Sequence, residues 1–278
     1  MQPSEGTAAP DMADEPPEPA PSTSVRRPYW VMRLVRRSAV YGGFVTPTLF
    51  VPAAVYQQAG ATIPGVASKI AAYEAILFTL THRVVPLELP NESNAAGLEP
   101  TVHALREARA EFSAVQSSLN LAFSFIDDPD VADRPPSGEE NDSTLAAAWS
   151  TGMKSLKRVS GRVGAAVPAA SETSAESLSR FTALVSDVCD KAQCFEALMS
   201  AVDALRARGG DDLPAIDDAL VELHHISQFF VIFCEILIRD VTALVERYMR
   251  RARDRLTRTR FDAEAPAADA GVGAALLS

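Results

Sequence analysis

The feature that most restricts this chain is one long apolar stripe near its C-terminal end. Ile216, Leu220, Leu223, Ser227, Phe230, Cys234, Leu237, Val241, Leu244 and Tyr248 follow one another at steps of three and four, the spacing that lines one face of an α-helix. Asp212 and Pro214 suit the cap and first position of that helix, and the helical pattern continues to about Arg260. At 1.5 Å per residue it would be about 70 Å long, well beyond an average globular helix. Its apolar face has to be covered by other stripes of the same chain or of a second copy.

Three such stripes precede it. Pro100 opens Leu105, Ala108, Phe112, Val115, Leu119, Ala122, Ile126. A second reads Leu145, Trp149, Gly152, Leu156, Val159, Val163, weakened because Gly152, Gly161 and Gly164 each cost about 1 kcal/mol against alanine. The third, Leu178, Phe181, Val185, Val188, Ala192, Phe195, Met199, Val202, follows the capping-box spacing of Thr173 and Glu176 and runs to Arg208, where Gly209 supplies a left-handed stop. In front of them Tyr29–Tyr41 reads as a short amphipathic helix halted by Gly42 and Gly43. Pro47 can open another short helix, and Pro64 can open one over Gly65–Val85 that Pro86 ends. No window shows sustained apolar and polar alternation. The expected fold is all-α: an antiparallel bundle of four long helices with a shorter N-terminal helical cap, with Phe112, Leu119, Val188, Phe195, Phe230 and Leu237 mutually close at its centre.

With 47% hydrophobic residues the chain has ample material for such a core. Its net charge of −10 is unevenly spread: residues 1–25, 127–142 and 262–278 carry −5, −6 and −3, leaving the remainder at about +4. The same stretches hold prolines or small residues without periodicity, so the expected organisation is a disordered acidic tail over 1–25, one helical domain over 26–262 with a mobile acidic loop at 127–142, and a disordered tail over 263–278. Cys189, Cys194 and Cys234 make an odd number without zinc-like spacing, and the acidic, proline-rich start is unlike a secretory signal, which points to a reducing, cytoplasmic location. Ala39–Val55, broken by Gly42, Gly43, Pro47 and Pro52, and Phe229–Ile238, interrupted by Glu235, both fall short of the roughly 20 apolar residues of a membrane-spanning helix.

Catalytic patterns are scarce. The chain has no G-x-S-x-G, G-x-x-x-x-G-K, H-E-x-x-H or G-x-G-x-x-G. Glu222 and His225 form an E-x-x-H pair of the kind used in di-metal bundles, but the second half is missing, since Glu99 and His103 are four apart. The plainer reading is that His224 and His225 straddle the edge of the buried stripe and make ordinary hydrogen bonds. Cys189 and Cys194 are turned about 140° apart on a helix and read as packing residues. Glu235 and Asp240 beside an apolar run read as outward-facing or paired with a base from another helix, with an intracore proton site as the alternative. No metal or cofactor is expected.

Arginine clustering is the strongest non-random feature. Arg26, Arg27, Arg33, Arg36 and Arg37 surround Trp30; Lys154, Lys157, Arg158 and Arg162 form a second group; Arg247, Arg250, Arg251, Arg253, Arg255, Arg258 and Arg260 crowd the end of the last helix. Of these, Arg26, Arg27, Arg33, Arg36 and Arg37 with Trp30, and Arg247, Arg250, Arg251, Arg253, Arg255 and Arg258, are the candidate anion-binding residues, set against the plainer reading of solvated helix ends that complement the helix dipole. The chain therefore reads as a non-enzymatic intracellular helical scaffold or adaptor that engages other proteins. The alternative is an acidic-lipid binding module at a membrane surface, and a metal-dependent bundle enzyme is the remote third reading. Nucleic acid is disfavoured by the scarcity of stacking aromatics, and a homodimer is compatible with the stripes.

Overall fold

A computed structural model describes residues 16–87, 98–122, 173–209 and 213–264, with only the backbone of residues 121–122 and 258–264. The apolar stripes become helices: α1 Arg27–Tyr41, α2 Val66–Thr79, α3 Leu98–Ala122, α4 Ala175–Lys191, α5 Cys194–Arg208 and α6 Leu213–Glu264. The described residues are mostly helical, and no helix among them is long and apolar enough to cross a membrane. Residues 127–142, the stripe from Leu145 to Val163 with its basic group, and the C-terminal tail from 265 onward lie outside the described residues.

Three local expectations are corrected. Pro47 does not open a helix. Instead β1 (Gly43–Thr46) and β2 (Leu49–Val51) form an antiparallel hairpin, because Thr46 Oγ1 accepts from the backbone N–H of Leu49 at 3.0 Å and closes the turn around Pro47. Gly42 makes the corner, with φ 77° and a position where a Cβ would lie 3.3 Å from the Ala53 nitrogen. The cap of α4 is Ser174, whose Oγ accepts from Ser177 N at 3.1 Å; Thr173 instead ties the helix start to the chain before α2, accepting from Ile63 N and donating its own N–H to Ala61 O. The long third stripe is two helices. At Gln193 the backbone N–H turns to Asp190 O, and the Gln193 side chain takes over the vacated Cys189 carbonyl at 2.8 Å.

The cap is also part of the core rather than a lid on it. Tyr29 of α1 lies 6.2 Å from Phe195 of α5 and 5.7 Å from Phe230 of α6, centroid to centroid. Phe112 of α3 completes that cluster, and Tyr73 of α2 joins Phe181 of α4 to Phe233 of α6. All six residues expected at the centre are buried.

Side-chain partners fix the helix directions. Lys69 meets Asp240 and Tyr73 meets Phe233, so α2 runs antiparallel to α6; Thr79 meets Glu111 and Arg83 meets Glu107, so it is antiparallel to α3 as well. It follows that α3 and α6 run parallel, as Arg106 with Asp218, Arg109 with Glu222 and Phe112 with Phe229 confirm. The expectation of uniformly antiparallel neighbours fails here for a simple reason. Short loops impose antiparallel packing only on consecutive helices, and α3 and α6 are far apart in sequence.

Candidate functional site

The first arginine cluster is matched within the chain. Arg26 pairs with Asp203 at 2.9 Å, Arg36 with Asp190 at 3.1 Å, and Arg33 with Glu196 and Glu18 while donating to Gln193 Oε1. Trp30 is half-buried and its Nε1–H donates to the Glu18 carbonyl at 3.0 Å, so the described part of the acidic tail lies along α1. Arg27 reaches toward the Pro21 carbonyl, and the Arg37 stem packs beside Gly43. These side chains clamp α1 to α4 and α5 across the break at Gln193.

The last cluster divides in two. Arg247 donates to Thr62 Oγ1 at 3.2 Å and Arg251 to the Ala59 carbonyl, while Gln58 Nε2 donates to the Leu244 carbonyl at 2.7 Å. These bonds seat α6 against the chain between residues 58 and 62. Beyond them the helix leaves the core: Arg250, Arg253 and Arg255 are exposed, as are Met249 at 63% and Leu256 at 72%. Leu256, the residue that continues the apolar stripe furthest, thus shows most of its surface to solvent. Arg258 and Arg260 lie on the same helix.

Two polar sites escaped the sequence reading in part. Lys69 Nζ lies 2.5 Å from Asp240 Oδ1, both side chains only about 4% exposed. Burial raises the Asp240 carboxyl to about 6 despite the opposing pull of Lys69 and Arg239. Tyr73, fully buried beside this pair, has its hydroxyl pushed well up by burial and by the Asp240 charge. Of the two expected environments, outward-facing or paired with a base of another helix, Asp240 takes the second; Lys69 falls in phase with Tyr73, Ile76 and Leu80, where a lone charge on an apolar stripe demands a partner. Glu235 is half-buried, its carboxyl raised by that burial and lowered by Arg239.

The second site is Glu222, whose carboxylate is held by Arg106 at 3.4 Å and Arg109 at 3.2 Å. Arg109 also donates to His225 Nδ1 at 3.1 Å, and His224 meets Gln228 at 3.0 Å. Glu222 therefore faces cations from α3, where a metal-binding pair would need further acids, and no group of three His, Cys, Asp or Glu among the described residues could hold a metal ion. Replacing Glu222 with glutamine removes the charge at constant shape and should cost about 1–3 kcal/mol, read as a lower urea midpoint; an unchanged midpoint would show that the Glu222 charge adds nothing to stability.

The cysteines are packing residues by environment. Burial raises the thiols of Cys189 and Cys234 strongly and pushes Cys194 up to about 11, opposite to what a reactive thiolate needs. A groove of about 520 Å³ between α1 and α4 is lined by Val40, Tyr56, Leu178, Thr182 and Asp187; the Tyr56 hydroxyl there is already bonded to Ser38 Oγ at 2.7 Å. Comparison with models of protein families, with curated proteins and with solved structures finds no match.

Proposed function

We propose that this protein is a non-enzymatic helical scaffold that engages other proteins through the distal end of α6. The observation that carries the reading is the contrast between the two described arginine clusters: Arg26, Arg33 and Arg36 beside α1 are spent on acids of their own chain, whereas Arg250 and Arg253 are exposed on a helix that outruns its core, beside exposed Met249 and Leu256. A long helix seated at its base and exposed toward its tip offers a rigid arm to a partner. Among the described residues the perturbed ionisable groups lie within the packing, and only Tyr56, its hydroxyl already bonded to Ser38, lines the groove between α1 and α4, which favours a binding role over a catalytic one. Intracellular protein partners fit this arm, and an acidic lipid surface is the competing occupant.

The test compares proteins retained from a cell lysate by the full chain and by a variant carrying Arg250→Gln, Arg253→Gln and Arg255→Gln at unchanged helicity. Arg251 is left intact because it bonds to the Ala59 carbonyl. The reading expects at least one discrete protein to be lost, and lost from the parent as well when salt is raised. Identical retention would remove the α6 tip from the function, and capture of acidic vesicles with no protein partner would transfer it to lipid.

A further inference from the structure

The chemistry of the α6 tip narrows the partner. We propose that it docks an acidic amphipathic helix of another protein, through a coiled-coil-like stripe formed by Val245, Met249, Ala252 and Leu256; the inference rests on the reading of this tip as a protein-binding surface. These four residues step by four, three and four, which places them at alternating d and a positions of a heptad pattern. Val245 is half-buried at the base, and the exposed part begins at Met249. In the same register Arg253 and Arg255 fall at the e and g positions that flank such a seam, where a partner's side chains set pairing by charge.

Charge selects among occupants. A second copy of this chain would bring arginine to arginine: antiparallel, Arg253 meets Arg253 and Arg255 meets Arg255, and parallel, position 255 meets position 260, which is also arginine. Like charges at these positions oppose self-pairing. The chain's own acidic stretch 127–142 carries Pro129, Pro135 and Pro136 and no heptad spacing of apolar residues, so its sequence does not match the row. A membrane would need a wider apolar face than one row of Met249, Ala252 and Leu256, with no exposed aromatic ring among the described residues of the tip. A helix with leucine at its own seam and glutamate on both flanks satisfies both the row and its borders.

The probe is a labelled 21-residue peptide of three heptads with leucine at a and d and glutamate at e and g, titrated by fluorescence anisotropy into the full chain. A peptide of identical composition but scrambled spacing is the control. The proposal expects the heptad peptide to bind at least tenfold tighter than the scrambled one, with tenfold weakening in Arg253→Gln/Arg255→Gln and in Met249→Ser/Leu256→Ser. Both pairs are exposed, so helicity should survive, which circular dichroism verifies. Equal binding of the two peptides would reduce the contact to bare charge and overturn the proposal. So would sedimentation of the chain with phosphatidylserine vesicles in place of peptide binding, or a dimer dissolved by Met249→Ser/Leu256→Ser. If lysate partners depend on the arginines yet the heptad peptide does not bind, the scaffold reading stands and this inference falls.

Discussion

Replacing Lys69 with methionine should destabilise the protein by about 3–5 kcal/mol at neutral pH, the range found when one partner of a buried ion pair is removed. The ammonium and the Asp240 carboxylate lie 2.5 Å apart with almost no solvent contact, so the variant leaves an uncompensated charge between α2 and α6. Adding Asp240→Leu should recover most of the loss, because a neutral, apolar pair of similar volume needs no desolvation. The pH dependence gives a second check. The folded carboxyl titrates at about 6 against an ordinary 3.8, so between those values the folded state keeps a proton that the unfolded chain releases. The stabilisation this group supplies is complete below about pH 3.8 and is lost as pH rises through about 6. Removing Lys69 takes away the cation that favours the charged form, so the titration moves further up and the gap between parent and variant should narrow as pH falls from 8 to 5. Urea unfolding across that range decides it. A loss under about 1 kcal/mol with no pH trend would mean that the pair is solvated.

The buried pair also shows where sequence periodicity stops informing. Helix positions were readable because burying one face of a helix imposes a three-and-four spacing whatever covers it; α1, α2, α3 and α6 start or end within a few residues of the punctuation by glycine and proline. The covering itself was not readable, since a stripe does not name its partner or direction. Thus the parallel course of α3 beside α6, and Lys69 rather than any other base as the partner of Asp240, emerge only from the packed structure. The break at Gln193 and the hairpin after Gly42 were hidden for another reason. Both depend on a single side chain, Gln193 or Thr46, bonding to nearby backbone, and such local bonds leave no periodic trace. Among the candidate site residues, composition located the arginines but could not distinguish Arg33, committed to Glu196, from Arg253, exposed on the tip.

Truncating Phe230 to alanine should cost about 3–5 kcal/mol, as for a fully packed aromatic side chain. The ring has no exposed surface and lies 5.7 Å from Tyr29, 5.6 Å from Phe112 and 5.7 Å from Phe195 between centroids. These neighbours belong to α1, α3 and α5, so the cavity would open where four helices meet and none can close it without pulling away from another. The Tyr29 hydroxyl adds a constraint: its 3.0 Å bond to Ser227 Oγ, one turn before Phe230, holds the tyrosine ring in place and keeps it from collapsing into the gap. Phe78 makes the contrast. It is 58% exposed and stacks on His82 of the same helical segment at 4.3 Å, so Phe78→Ala should cost under about 1 kcal/mol. Urea unfolding of both variants, with the slope against denaturant unchanged to show that the same surface is exposed, separates the two cases. Near-equal costs would mean that the ring cluster is not closed around Phe230, and that the apolar faces of α3, α5 and α6 are completed by something other than one another.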